Sequence, residues 1–175
     1  MEAITLIFPT KEYETQVMAY KKEFEKTGDS MDGTAGLSNA VSFDEWFSAV
    51  IDNSTEETVR TGLVPASTYL AIRNEDQRVV GMVDIRHILN NYLFQFGGHI
   101  GYSVRKSERK KGYAKEMLGL ALEKCRDRNM GKVLITCDKQ NIASSKTVIY
   151  NGGVLENEVL EGEGITQRYW ISLGE

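Results

Sequence analysis

The strongest constraint on the fold is an amphipathic pattern that runs from Gly112 and lies between two apolar segments. The preceding segment, residues 99–104, has the composition of a strand, and residues 132–137 form the continuous apolar run of a buried strand. A helix between two strands buries its apolar face against their sheet, so this order predicts a layered α/β domain. The positions that define the helix face are Ala114, Met117, Leu118, Ala121, Leu122 and Cys125.

The other elements follow from periodicity and from turn residues. Because the chain shows no internal repeat and no linker, they predict one mixed α/β domain over residues 1–175, with about seven strands and about four helices. Thr10 is the expected cap of the first helix, and Ser42 with Glu45 forms the capping box of the second. The remaining predicted strands are residues 3–8, 67–73, 79–89, 154–160 and 165–173, and the remaining predicted helices are residues 11–26, 42–53 and 141–153.

Composition limits the class of protein. The 175 residues suit a domain with a full core, and the net charge of −4 is not that of a generally basic protein. Cys125 and Cys137 lack metal-ligand spacing and are too few for a disulfide scaffold. We therefore expect two buried, reduced thiols and no metal site. No signal-peptide pattern is present, and no apolar run approaches the roughly 20 residues of a membrane span, which predicts a cytoplasmic protein without a membrane partner.

A basic segment precedes the amphipathic helix. Six of the fifteen residues 104–118 are Lys or Arg, although cations are mildly unfavourable near the positive end of a helix dipole. The first N–H groups of a helix have no intrahelical acceptor, and Gly112 lets a bulky anion approach the backbone. The combination predicts a phosphate or pyrophosphate site flanked by Arg109, Lys110 and Lys111.

Two other interpretations of the basic segment remain open. It could be a solvated loop that happens to precede a helix, or it could bind nucleic acid, although the acidic net charge argues against a nucleic-acid partner. The chain contains no G-x-x-x-x-G-K-[ST] motif, and "GYA" lacks the spacing of G-x-G-x-x-G. ATP chemistry and dinucleotide binding are therefore not supported.

The segment "RKKGYA", Arg109 to Ala114, resembles the R/Q-x-x-G-x-G/A signature of the GNAT N-acetyltransferases. Asn141 and Ser144 resemble the N-x-x-S/A pattern that follows in that family, and the order of elements is similar over the whole chain. The resemblance implies a single acetyltransferase domain with a central mixed, mostly antiparallel sheet whose central strands splay apart. It also implies acetyl-CoA as co-substrate, with no metal.

The resemblance assigns the cofactor contacts. Backbone amides of the basic loop and of the helix start would bind the pyrophosphate, and the pantetheine arm would lie between residues 99–104 and 132–137. Asn141 would reach the arm or a bridging water, or would serve only as a helix cap. The expected cofactor-binding residues are Tyr102, Ser103, Val104, Arg109, Lys110, Lys111, Gly112, Tyr113, Ala114, Asn141 and Ser144.

The resemblance also implies direct transfer of acetyl from the thioester to an amine, assisted by a general base. The candidates are His99 and Asp138, although His99 could be structural and Asp138 could simply cap a turn. Val148 stands where many relatives carry a Tyr that protonates the departing sulfur, and Tyr150 is rotated by roughly 200° around the helix from that position. This departure leaves open a non-catalytic acyl-CoA-binding or sensory module.

The acceptor is expected to be the amine of a small molecule or a peptide, and the acidity of the chain suits a cation. Asp84 is the weakest candidate for amine binding. Aromatic residues of the variable segments either shape the acceptor site or belong to the core, and a homodimer is compatible with the sequence. These aromatic residues are Trp46, Phe47, Tyr92 and Phe94.

Overall fold

The computed structural model describes residues 2–174, which contain seven strands in two antiparallel sheets. The first sheet has four strands in sequence order, and in the second sheet the last strand lies between the other two. The strands of the first sheet are β1 (Ile4–Ile7), β2 (Ala66–Arg73), β3 (Val79–Arg86) and β4 (Ile100–Val104). Those of the second sheet are β5 (Lys132–Asp138), β6 (Val154–Glu161) and β7 (Gly164–Ser172).

Four α-helices cover the sheets in two layers. On one side, Tyr20, Phe24 and Trp46 are buried against Leu70 and Met82 of the first sheet. The apolar face predicted from Gly112 onward packs on the other side, in a second core that spans both sheets. The helices are α1 (Glu14–Thr27), α2 (Phe43–Asp52), α3 (Tyr113–Asp127) and α4 (Ile142–Tyr150), of which α1 and α2 belong to the first layer and α3 and α4 to the second.

The predicted fold class is confirmed, with two local differences. The strands form two sheets rather than one, because β4 and β5 do not continue as a paired ladder. Thr10 makes no side-chain cap, because a short 3₁₀ turn, Lys11–Tyr13, precedes α1. The Ser42 cap is confirmed: its hydroxyl accepts the N–H of Glu45 at 3.2 Å.

The two sheets meet at the residues just before β4. The backbone N–H of His99 donates to the carbonyl of Leu134 at 2.7 Å, and the N–H of Leu134 donates to Nδ1 of His99 at 2.9 Å. Gly98 allows this contact, because its φ is 67° and a Cβ there would lie 2.6 Å from the Leu134 carbonyl oxygen. We call these two hydrogen bonds the His99–Leu134 clip. Beyond it, β4 pairs only with β3 and β5 only with β7 within the described residues, so a gap opens between β4 and β5.

The clip predicts a specific acid sensitivity. Burial, with a smaller effect of the Arg86 charge, lowers the pKa of His99 to about 4 from an ordinary value near 6.5. Between these values the unfolded chain binds a proton that the folded chain does not, so stability is lost as the pH falls from 6.5 to 4. In H99N an amide oxygen can accept the Leu134 N–H without titrating.

We expect H99N to lose about 1–2 kcal/mol less of its free energy of unfolding than the wild type between pH 6.5 and 4. The full pKa shift corresponds to about 3 kcal/mol, reduced here because the ring is partly exposed. Urea unfolding at several pH values measures the difference. The pKa of His87 is also lowered to about 4 by burial. His87 is present in both proteins, so it removes the same amount of unfolding free energy from each as the pH falls. Equal losses in the two proteins would contradict the assignment.

Candidate active site

A cleft of about 940 Å³ runs along the gap between β4 and β5. One end is formed by the basic loop and the first turn of α3, and the middle by β4, β5 and the start of α4. The other end is bounded by the α1–α2 loop, the β3–β4 loop and the β6–β7 hairpin. A single channel therefore connects the predicted anion site to a separate mouth, which is the shape that a two-substrate reaction requires.

Gly112 shapes the anion end of the cleft. It is the N-cap residue of α3 with a φ of 88°, and no atom lies within 4 Å of the position that a Cβ would take. Within residues 2–174 no acceptor pairs with the N–H groups of Tyr113, Ala114 or Lys115. Unpaired amides at the positive end of a helix are suited to a phosphate, so the residues present fit a diphosphate ligand.

Three of the six cations of the basic segment already have carboxylate partners. Arg109 donates through Nη1 to Asp29 at 2.8 Å and through Nε to the Val104 carbonyl at 2.9 Å. Lys111 donates to the buried Glu108 at 2.7 Å. These side chains hold the loop in place, so their contribution to an anion site comes through the backbone.

Lys106 does not line the cleft, and the other three cations of the basic segment have different surroundings. Arg105 pairs with Glu23 at 2.6 Å, and the ammonium of Lys115 lies 4.4 Å from the ring centroid of Tyr150. Lys110 lines the cleft, and no carboxylate lies within 4 Å of its ammonium in the described part of the chain. Lys110 is thus a cation available to an anionic ligand.

The middle of the cleft offers backbone groups from β4. Pairing with β3 runs through the odd-numbered positions, as the bonds from Arg86 to His99 and from Arg105 to Val80 show. Alternation along an antiparallel pair then directs the N–H and carbonyl of Tyr102 into the gap.

The side chains around this backbone have well-defined partners. Ser103 contacts the hydroxyl of Tyr20 at 2.9 Å on the far face of the sheet. On the near face the Tyr102 hydroxyl reaches α4 and lies 3.0 Å from Oγ of Ser144. Asn141 caps α4, because its Oδ1 accepts the N–H of Ser144 at 3.1 Å, and its side chain also lines the cleft.

The two candidate bases have different environments. Asp138 ends β5 and lines the cleft, where its Oδ1 accepts the N–H of Gln140 at 2.7 Å. It therefore caps a turn, as its alternative interpretation predicts, and its second carboxylate oxygen stays available. His99 does not line the cleft, and its Nδ1 accepts a hydrogen bond from Leu134, so the neutral ring carries its proton on Nε2. This geometry leaves His99 no free lone pair for a base.

The mouth of the cleft carries three residues that the sequence did not single out, Asp32, Glu161 and Thr166. Arg86, which the sequence places near the acceptor side, and the predicted Tyr92 line it as well, and the Tyr92 hydroxyl donates to Glu161 at 3.1 Å. These residues are far apart in the sequence, and only the meeting of three loops brings them together.

Other expectations fall outside the cleft. Asp84 is buried and paired, with Thr68 at 2.8 Å and Arg86 at 3.1 Å, and burial raises the pKa of its carboxyl group. It is therefore not the free carboxylate that amine binding requires. Trp46 belongs to the core, Phe47 packs against it and Phe94 is exposed outside the cleft, which leaves Tyr92 as the aromatic candidate that lines the mouth.

The thiols and position 148 also have clear placements. Both cysteines are free; Cys125 is buried as predicted, whereas Cys137 is half-buried and lines the cleft. Val148 is fully buried in the core between α3, α4 and the sheets.

Among residues 2–174, no cluster of three or more His, Cys, Asp or Glu side chains could hold a metal ion. None of the described helices has the length and apolar character needed to cross a bilayer.

Comparison with known proteins matches residues 14–153 to the family model described as "Acetyltransferase (GNAT) domain". No curated protein matched the chain. Solved structures of the same fold align with nearly the whole chain. Their sequence identities are low, so this similarity shows the fold and not the activity.

Three of these structures illustrate the similarity. The microcin C7 self-immunity acetyltransferase MccE, in complex with acetyl-CoA and AMP, is 17% identical with a TM-score of 0.71, covering 98% of this chain and 93% of that one. The ribosomal-protein-S5-alanine acetyltransferase of Vibrio fischeri is 12% identical with a TM-score of 0.74, covering 98% and 94%. Mutant forms of the spermidine/spermine N-acetyltransferase SpeG of Vibrio cholerae are 13% identical with a TM-score of 0.69, covering 99% and 95%.

The geometry at Gly112 predicts how a side chain there affects ligand binding. In G112A the new methyl group would occupy the space in front of the unpaired amides, and we expect the affinity for CoA, used as a diphosphate ligand, to fall at least about tenfold. Isothermal titration calorimetry measures the affinity.

Gly152 provides the matched control, since its φ is 92° and no atom lies within 4 Å of its Cβ position. G152A carries the same backbone strain outside the cleft, so it should lose a similar stability, about 1 kcal/mol, and keep its affinity. Equal CoA affinities for G112A and G152A would refute the anion site.

Proposed function

We propose that this chain, which belongs to the GNAT family of acetyltransferases, transfers acetyl from acetyl-CoA to a primary amine without a covalent enzyme intermediate. The observation that carries the proposal is the continuity of the cleft. It starts at the unpaired amides beside Gly112, follows the gap between β4 and β5, and ends at a mouth lined by carboxylates.

The cofactor would occupy the anion end and the middle of this path. The pyrophosphate would rest on the amides of Gly112, Tyr113 and Ala114, with Lys110 as a free counter-charge. The backbone of Arg109 and Lys111 completes this loop. The pantetheine arm would run along Tyr102, Ser103 and Val104, with Asn141 and Ser144 facing it from α4.

The chemistry follows from the groups that line the gap. The N–H of Tyr102 points into it and can polarise the thioester carbonyl as the tetrahedral intermediate forms. The second oxygen of Asp138 can accept a proton from the attacking amine, directly or through a water. Since His99 holds the two sheets together and has no free lone pair, we assign the base to Asp138 and a positioning role to His99.

The mouth indicates a cationic acceptor. Asp32, Asp138 and Glu161 line this end, whereas the guanidinium of Arg86 is paired with the buried Asp84. The excess of negative charge attracts an ammonium and lowers the free energy of its complex. Solved neighbours named for spermidine and for a ribosomal protein include both small and peptidic amines, and the open mouth suits either class. A cytoplasmic location and a homodimer remain predictions.

A non-catalytic acyl-CoA-binding module is the second candidate, favoured by one observation. Val148 occupies, as a fully buried core residue, the position at which many relatives carry a Tyr. A module of this kind would bind CoA at the same site and release no thiol when an amine is added.

Thiol release from acetyl-CoA tests the proposal. We expect amine-dependent release with at least one of spermidine, peptides that begin with Ser or Ala, and a Lys-containing peptide. D138N removes the base and should lower kcat about 100-fold or more, with little change in the affinity for CoA. D127N provides the matched control, because Asp127 is exposed at the end of α3, outside the cleft. Tight CoA binding without release for any of these amines would favour the non-catalytic module.

A further inference from the structure

We propose that the phenol of Tyr102, on the splayed strand β4, is the group that protonates the departing thiolate. This inference rests on the proposed acetyl transfer and adds a catalytic residue to it. The reaction must deliver a proton to sulfur as the C–S bond breaks, and Val148 has no proton to give.

The backbone N–H and the phenol hydroxyl of Tyr102 both lie in the middle part of the cleft. Its backbone N–H faces the gap, and its ring leaves the sheet on the side of α3 and α4. The hydroxyl crosses to α4, 3.0 Å from Oγ and 3.4 Å from the carbonyl oxygen of Ser144. A thioester carbonyl held by that N–H would therefore have its sulfur beside the same residue's side chain.

The other cleft-lining phenols are placed elsewhere. The hydroxyl of Tyr113 accepts from Arg73 at the anion end, 3.3 Å away, and the hydroxyl of Tyr92 bonds to Glu161 at the mouth. The Cys137 thiol lies near Tyr102 and Ser144, but it donates to Oε1 of Gln167 at 3.9 Å. Among the described residues, Tyr102 is thus the phenol in the middle of the cleft.

Ser144 completes the arrangement. Either hydroxyl of the Tyr102–Ser144 pair can be the donor. When Ser144 donates to the phenol oxygen, the phenol proton is held only by the long 3.4 Å bond to the Ser144 carbonyl oxygen. It can then turn to the sulfur, and the negative charge that develops on the phenol oxygen is stabilised. Burial raises the pKa of Tyr102 to about 12, so the group is fully protonated at neutral pH and available as a donor.

The proton count balances. The bound ammonium first loses one proton to solvent, because only the neutral amine has a lone pair. The amine nitrogen then forms a bond to the acetyl carbon and gives one proton to Asp138. The C–S bond breaks, its electron pair stays on sulfur, and the phenol proton converts the thiolate to a thiol. The phenolate then takes back a proton from solvent and protonated Asp138 releases one, so that one proton passes from nitrogen to sulfur and one is released in total.

The test compares wild type, Y102F and Y150F under single-turnover conditions, with the amine that the wild type acetylates fastest in the panel above. Y102F keeps the ring and removes the proton. We expect its transfer rate to fall about 100-fold and its solvent deuterium isotope effect to become smaller, because only the proton transfer to Asp138 remains, while CoA affinity and amine KM stay within about threefold of wild type.

Y150F is the matched control. Tyr150 is an exposed phenol on α4, outside the cleft, and a Phe ring still offers its face to Lys115. It should transfer at the wild-type rate with an unchanged isotope effect. A purely structural role for Tyr102 would weaken CoA binding and leave the isotope effect in place.

The outcomes separate the two proposals. Wild-type transfer with an equal rate in Y102F, or a rate loss explained by lost CoA affinity, overturns the assignment of Tyr102 and leaves the acetyltransferase proposal intact. Absence of transfer by the wild type overturns both.

Discussion

Two hydrogen bonds between His99 and Leu134 join the two sheets at one point. The cleft forms because β4 and β5 separate beyond that point. Before it, Gly98 brings the chain close enough to β5 for the contact to form. Beyond it, β4 stays with β3 and β5 stays with β7, so backbone groups of both strands are left without partners in the sheet. Unpaired strand groups are costly when buried, and a ligand arm that pairs with them removes that cost. The splay therefore leaves backbone groups of β4 and β5 available to a ligand.

The basic loop shows how a positive helix end tolerates so many cations. Arg105, Arg109 and Lys111 are each neutralised by a carboxylate, and two of these partners, Glu23 and Asp29, come from α1 and the loop that follows it. These ion pairs thus fix the loop to the layer of α1 and α2, and the first N–H groups of α3 stay exposed to the cleft. What remains for a ligand is the dipole, the free N–H groups and a few unpaired ammonium groups.

Local patterns in the sequence were sufficient for the elements and for the start of α3 at Gly112. The periodic face of α3, the Ser42 cap and the glycine at the start of α3 each act within a few residues, so their outcome can be predicted from spacing. The two-sheet division and the contacts at the mouth of the cleft could not be predicted in the same way. They depend on long-range contacts, such as the Leu134 N–H bonded to His99 and the Tyr92 hydroxyl bonded to Glu161, which no local pattern encodes.

A crystal structure of the protein with CoA tests the central claim most directly. We expect the diphosphate oxygens to lie within about 3 Å of the N–H groups of Tyr113 and Ala114, and the pantetheine arm to occupy the gap with its sulfur next to the Tyr102 side chain. A closed gap between β4 and β5, or a CoA molecule bound at another surface, would contradict it.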